Sequence, residues 1–297
     1  MAPEGSYWYN LVKNMERALS RDHQIRVILY WGNSMGDEAD IVRKIRIGQL
    51  QAAGLTSHGL EMIAPEIRAY DIPFVFESYE EFFSVRDTLF PELQKRFEER
   101  GYKLLSHFAI GFIYIFSRKE NPWNSNLWVW AGDALSEARG KEMRELFKIV
   151  PLQLSDVLQA LTTGMIDSVS NGWYTLQALQ LANHIRSYID MPQFLYTAGM
   201  IMRKDVWDNF SDNLRKEMQQ LALKYSLEAE REVVKLNLNA QQNFGSRIKR
   251  VSGPDENMQK LKAALHRVKR RILDENPRVK EFHTLIEGEL AKIRKQN

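Results

Sequence analysis

Between Ser211 and Phe244 the chain carries neither proline nor glycine, and its pattern is helical throughout. At about 1.5 Å per residue such a helix runs roughly 50 Å, more than one small domain needs. Two readings fit: two helices with an unmarked bend, or one helix lying along two domains. We read the second. The length of 297 residues agrees with two domains of about 150 residues each.

A second run is long in the same way. Lys103–Ser117 is strand-like over about fifteen residues, beyond the usual strand length. It is either two strands or one that passes from one domain into the other. Around it, Trp8, Leu11, Val12, Met15 and Leu19 fall at helical spacing and predict a helix over about 6–20. Gln24–Tyr30 alternates, with Ile25, Val27 and Leu29 on one face, and reads as a strand. A glycine turn follows, then a helix from Asp37 to about Ile47, then a small-residue strand over Leu50–Thr56. A helix over Tyr79–Arg100 is broken near Pro91. Strands are expected at Leu127–Ala131, Met165–Val169 and Met200–Arg203, and helices at Asp133–Phe147 and Ser155–Thr163. Two amphipathic helices, about Asp255–Ile272 and Pro277–Arg294, close the chain. The βαβ alternation predicts a parallel sheet with helices on its faces.

Several function classes fall away. A net charge of +3 is too small to argue for nucleic acid, and acids interleave with the basic runs Arg247–Arg250 and Arg267–Arg271. Without cysteine there is no disulfide, thiolate metal site or Cys nucleophile. No apolar stretch reaches the roughly 18 residues of a membrane span. The six histidines form no HxxxH or HExxH pair, and neither Walker loop nor GxGxxG occurs. No metal or cofactor is therefore expected. Gly32-Asn33-Ser34-Met35-Gly36 does match GxSxG between a predicted strand and helix, the context of a nucleophile elbow. Only one helix and one strand precede it, fewer than that fold needs, so a serine hydrolase is the lesser reading and a glycine turn the preferred one.

Five segments are informative as an ordered set: Ala2-Pro3-Glu4-Gly5-Ser6, Gly32–Asp37, Ile45-Arg46-Ile47-Gly48-Gln49-Leu50, Ile72-Pro73-Phe74-Val75-Phe76 and Ser155–Asp167. They resemble, in order and spacing, the APEGS, GGxLGDE, LRxGxLD, LPFLF and SEVYxALQxGxVDG patterns of the DctP-type solute-binding proteins of TRAP (tripartite ATP-independent periplasmic) transporters. The resemblance runs from Ala2 to at least Trp207. It implies an α/β, two-lobed periplasmic-binding-protein fold of type II-like form, with a ligand cleft between the lobes and a long helix spanning both. Residues 1–110 plus 199–238 would form the first lobe, and 111–198 plus 239–297 the second. The strand that precedes the APEGS segment in the family is not among these residues. The resemblance also implies a non-enzymatic receptor, exported to the periplasm with its leader removed, with lipid anchoring as an option. Its partners would be the membrane permease subunits and, in some systems, a TPR-repeat periplasmic protein. A sensor or scaffold role with such a partner is the alternative.

One departure bears on the ligand. The family holds carboxylates with an arginine in an LKGLKxR motif, and a guanidinium does so through two parallel hydrogen bonds. The matching segment here is Ser125–Ala131, with Trp130 at the arginine position. A second family arginine aligns near Ile113, in the stretch Gly111–Phe116, which offers no positive charge. A carboxylate buried without a partner costs several kcal/mol. Phe74, Leu154, Trp173 and Tyr174 would extend an apolar lining, Asn171 would orient one polar group, and Thr56 and Ser57 complete the expected set. Singly, each aromatic is equally explained by core packing. As a set they point to a hydrophobic or amphipathic solute.

Overall fold

The computed structural model describes residues 7–23, 25–32, 34–132, 134–253 and 255–296. The Ala2–Ser6 segment lies outside them, as does Asn33 of the glycine turn. The Lys103–Ser117 run is one strand, β2 (Tyr102–Ser117), preceded by β1 (Ala52–Thr56). Further along come β3 (Asn126–Trp130), β4 (Lys148–Leu152), β5 (Ser168–Asn171), β6 (Ser187–Arg203) and β7 (Lys249–Val251). They form one sheet in the order β1-β6-β2-β5-β3-β4, with β7 beside β6. The expected Met200–Arg203 strand is the end of the 17-residue β6, which pairs antiparallel with β2 over most of its length. The sheet is therefore mixed rather than parallel: β3 pairs parallel with β4 and β5, whereas β1 and β2 pair antiparallel with β6. Two long antiparallel strands can cross between lobes as a pair because each supplies the other's backbone partners.

Helices cover both faces. On the first lobe they are α1 (Tyr7–His23), α2 (Glu38–Arg46), α3 (Ser57–Glu61) and α4 (Tyr79–Glu98), with a 3-10 segment at Pro65–Asp71. The second lobe carries α5 (Ala134–Glu142), α6 (Val157–Thr163) and α7 (Trp173–Ala178). The chain ends through α8 (Lys204–Asp208), α9 (Asp212–Gly245), α10 (Glu256–Glu275) and α11 (Pro277–Gln296). Asp37 accepts a bond from Asp40 N at the start of α2, and Ser78 does the same for Glu81 N at α4. The break expected at Pro91 does not occur. Pro91 lies on the exposed side of α4 while Leu89, Leu93 and Phe97 bury the opposite side, and that packing outweighs the missing backbone bond.

The long helix α9 is single. Met218 and Ala222, near its start, pack with Met200, Met202 and Leu105; Ala240, near its end, packs with Phe116, Val169 and Trp173. One helix thus contributes to a core in each lobe. The C-terminus is shared differently from the expected division at 239–297. Val279, Phe282, Ile286 and Leu290 of α11 join Tyr70 and Phe82 in the first-lobe core, whereas Met258, Leu261, Ala264 and Leu265 of α10 pack under the second lobe with Ile115 and Leu127. No helix of the described residues is long and apolar enough to cross a membrane.

Ile25–Tyr30 alternates between half-buried and exposed as expected, yet belongs to no strand of the sheet. The edge strand β1 is paired on one side only, by β6. Both Ile25–Tyr30 and β1 line one cavity, so the distance a ladder requires is not met.

Candidate ligand cleft between the lobes

A continuous cavity of about 870 Å³ opens between the lobes and extends beside β1. Its two parts differ in their walls. The extension is lined by Leu11, Met15, Val27, Leu29, Ala53, Met200 and Met218. The edge of β1 borders it, and a bare strand edge presents N–H and C=O groups that an alkyl chain cannot satisfy. The cleft proper, where β1, β2, β3, β5 and β6 bring the lobes together, offers both apolar area and side-chain donors.

On the first-lobe side, Glu38 is buried and accepts from Thr56 N at 2.9 Å, Thr56 Oγ1 at 2.8 Å and Gly59 N at 2.7 Å. Tyr196 donates its hydroxyl to Thr56 Oγ1 at 2.9 Å. This fastens α2 to the β1–α3 junction and holds Thr56 at the cleft. His58 of α3 lies against Trp130 of β3, ring centroids 5.0 Å apart, so an aromatic contact bridges the two lobes. Trp130 in turn sits 6.2 Å from Trp128.

On the second-lobe side the wall is apolar with one buried cation. Arg139 of α5 is 3% exposed and lines the cavity. Its Nη2 donates to Gln193 Oε1 at 2.8 Å and to Ser170 Oγ at 2.5 Å, and its guanidinium carbon stands 5.6 Å from the Phe194 ring centroid. Neither β3 nor the Gly111–Phe116 part of β2 carries a cation, as expected from their sequences, but a neighbouring helix supplies one. The available signal was spacing: Arg139 is four residues after Leu135, which is buried, so both share a helical face. Trp128, Phe194, Tyr196 and Glu38 were likewise not singled out from sequence, and all line the cavity.

Six expected site residues converge here: Thr56, Ile113, Trp130, Leu154, Asn171 and Tyr174 all line the cavity. Three do not. Ser57 is fully buried and donates to Asp71 Oδ2, which with Thr197 Oγ1 donating to Asp71 Oδ1 forms a closed network behind the wall. Phe74 takes a positive φ of 60°, and its ring lies 5.0 Å from that of His266 on α10, away from the cleft. Trp173 is 2% exposed and packed by Phe116, Tyr188 and Phe244 at centroid distances of 4.7, 4.8 and 6.3 Å. It is core. The GxSxG serine is a turn residue, Ser34 Oγ donating to Trp31 O at 2.8 Å. Among the described residues no group of three or more His, Asp or Glu is placed to hold a metal ion.

The geometry has counterparts among known proteins. The sequence profile of a family described as bacterial extracellular solute-binding protein, family 7, matches residues 1–125 and 135–276. A solute-binding protein of Chromohalobacter salexigens is 22% identical over 229 residues, covering 70% of this chain and 63% of its own length. An uncharacterized protein of Haemophilus influenzae is 26% identical over 203 residues, covering 64% of this chain and 57% of its own length. The chain thus spans less than two thirds of these curated relatives. Three solved structures share the fold over nearly the whole chain. The ectoine-binding protein of the TeaABC TRAP transporter of Halomonas elongata superposes with a TM-score of 0.85 at 16% identity, covering 98% of this chain and 97% of its own. A TRAP solute-binding protein of Desulfovibrio desulfuricans with bound sn-glycerol-3-phosphate gives 0.86 at 16% identity, covering 97% of each chain. One from Chromohalobacter salexigens with bound D-glucuronate gives 0.84 at 17% identity, again covering 97% of each.

Proposed function

The chain belongs to family 7 of the bacterial extracellular solute-binding proteins, and on that premise we propose that it is the periplasmic receptor of a TRAP-type transporter, taking an amphipathic solute into the interlobe cleft and delivering it to membrane permease subunits. The observation that carries the ligand reading is the composition of the second-lobe wall: Trp128, Trp130, Leu154 and Phe194 surround a single buried guanidinium, Arg139. Such a wall suits a molecule with an apolar or aromatic body and one acceptor-bearing end. Arg139 would receive the acceptor end as a charge-assisted donor, with Asn171 beside it. Trp130 would cover the body, at roughly 25 cal/mol per Å² of apolar surface removed from water.

The structural neighbours with D-glucuronate and sn-glycerol-3-phosphate show that the fold accommodates polar anions. The expectation of a hydrophobic or amphipathic solute rested on the absence of the two strand arginines, and the buried Arg139 favours the amphipathic of the two. Binding of the solute to both walls would favour the closed arrangement, since a ligand shifts such an equilibrium by its differential affinity for the two states.

Organic extraction of the purified protein followed by mass spectrometry tests the reading. The expected species pairs an apolar body with a carboxylate or another acceptor group. Recovery of a hexuronate or dicarboxylate with no apolar portion would sink the ligand class while leaving the receptor role. Absence of any bound or bindable small molecule would count against the receptor itself.

A further inference from the structure

The pairing of β2 with β6 slips at three places, and at the middle one Ala109 pairs with Thr197 and Gly111 with Tyr196, which leaves Ile110 without an opposite residue. A bulge of this kind disrupts the local ladder. Two side chains of α9, seven residues apart and so on one helical face, take up backbone groups at this point. Glu230 Oε1 accepts from Ala109 N at 2.7 Å, and Asn237 Nδ2 donates to Ile110 O at 2.9 Å. Both side chains are buried.

Asn237 does more than close the bulge. Its Nδ2 also donates to Val233 O at 2.9 Å, and its Oδ1 accepts from Tyr174 N at 3.1 Å in the first turn of α7. The backbone is shaped around it. Gly111 has φ of +148°, and a Cβ there would come within 2.8 Å of Asn237 Nδ2. A Cβ at Gly172, just before α7, would stand 3.4 Å from Asn237 Oδ1. One carboxamide therefore joins three elements: the lobe-spanning helix, the bulge of β2, and the turn that presents Tyr174 and follows Asn171 at the cleft. Through Glu230, which accepts from Arg86 Nη1 at 2.6 Å, the same helix face is tied to α4 of the first lobe.

We propose that Asn237 is a positioning residue for solute binding: it latches α9 to the β2 bulge on the first-lobe side and to the α7 turn of the second lobe, and so restricts the angle between the lobes and aligns the Asn171–Tyr174 part of the wall. That role rests on the interlobe cleft being the solute site. A carboxamide suits the position because it both donates and accepts. Asn237→Asp retains the isosteric acceptor for Tyr174 N but turns two donor contacts into carboxylate–carbonyl repulsions. Asn237→Ala removes all three bonds.

The chain has no native cysteine, so nitroxide labels on cysteines introduced at the exposed Lys95 of α4 and Lys141 of α5 report the interlobe distance without interference. In the solute-free protein both variants are expected to broaden the distance distribution and shift its mean. Hydrogen exchange across residues 172–175 is expected to quicken about tenfold in Asn237→Ala and to stay near the parent value in Asn237→Asp. If Asn237→Ala does not fold, the isosteric Asp variant alone carries the distance measurement. A parent-like distance distribution in the folded variants would overturn the proposal, as would faster exchange spread evenly over the whole chain. These readings need no solute, so they separate the latch from the cleft assignment. If Trp130→Ala left affinity for the extracted solute unchanged, the cleft reading would fail while the distance result still judged the latch.

Discussion

The two walls of the cleft use their polar groups in opposite ways. On the first-lobe side Glu38, Thr56 and Tyr196 bond to one another and to backbone, and Asp71 gathers Ser57 and Thr197 behind them. On the second-lobe side tryptophan and phenylalanine surround Arg139, whose hydrogen bonds to Ser170 and Gln193 fix its plane without covering the ring of apolar area around it. On the proposed reading the first wall is a brace and the second the recognition surface. The lesson is that a charged residue facing a cleft is informative only once its partners are known: Glu38 and Arg139 are both buried at the cavity, and their partners give them different roles.

The largest effect expected from this contrast concerns what stands behind the second wall. Trp173→Ala should cost about 3–5 kcal/mol of stability, the usual range for emptying a buried aromatic site, whereas Trp130→Ala at the cleft should cost under about 1.5 kcal/mol. Urea denaturation of both variants checks this, and equal losses would erase the distinction between wall and core. Next, Glu38→Ala leaves the backbone donors of Thr56 and the buried Gly59 without their acceptor and should lower stability by about 3 kcal/mol. Its thermal midpoint would drop while any solute affinity measured well below that midpoint changed little. A binding loss without a stability loss would move Glu38 from brace to recognition.

Arg139→Met tests the other side. It keeps much of the volume and removes the donors, so affinity for the extracted solute should fall about 30- to 100-fold, corresponding to about 2–3 kcal/mol. Calorimetric titration measures it. Trp130→Ala should weaken the same binding by about tenfold through lost apolar contact. If Trp130→Ala proved the more damaging of the two, the solute would be apolar rather than amphipathic.

The smallest effect is one of pH, and it arises in the first lobe. Burial holds the imidazole of His107 well below its ordinary range, with the Arg86 charge acting in the same direction. Burial likewise lowers His283 to about 4, aided by Lys269 and opposed by Glu287. Both bases bind protons more readily in the unfolded chain, whose histidines titrate near about 6.5. Their contribution is therefore fully present above that pH and is lost as the pH falls below it, for His283 down to about 4. Denaturation midpoints should fall between pH 7.5 and pH 5, and His107→Leu should flatten that slope. A slope unchanged in the variant would exclude His107 as its source.

Much of this arrangement was legible in the chain. The helix α9 could be read because no proline or glycine interrupts it, and β2 because apolar residues persist beyond the length of an ordinary strand. Six of the nine expected site residues share the cavity because strand ends and the turns after them converge on the cleft in this fold. Other features could not be read. Ile25–Tyr30 has the alternation of a strand, but alternation describes burial, and a ladder also needs a neighbour at the right distance. The short β4 and β7 passed unnoticed because three to five residues of mixed character carry no periodicity. Pro91 marked a break that the packing of α4 overrides.

By itself the sequence determined the class of architecture, since helix length, strand length and motif order are local quantities recorded residue by residue. Which tryptophan faces the cleft was decided only by tertiary structure. Trp130 and Trp173 are chemically identical, and their difference lies in what packs on them: His58 from the opposite lobe in one case, a shell of Phe116, Tyr188 and Phe244 in the other. The same holds for the cation of the cleft. Arg139 reaches the wall from a helix that no strand motif could indicate, because side chains distant in sequence become neighbours only when the sheet and its helices close around a common space.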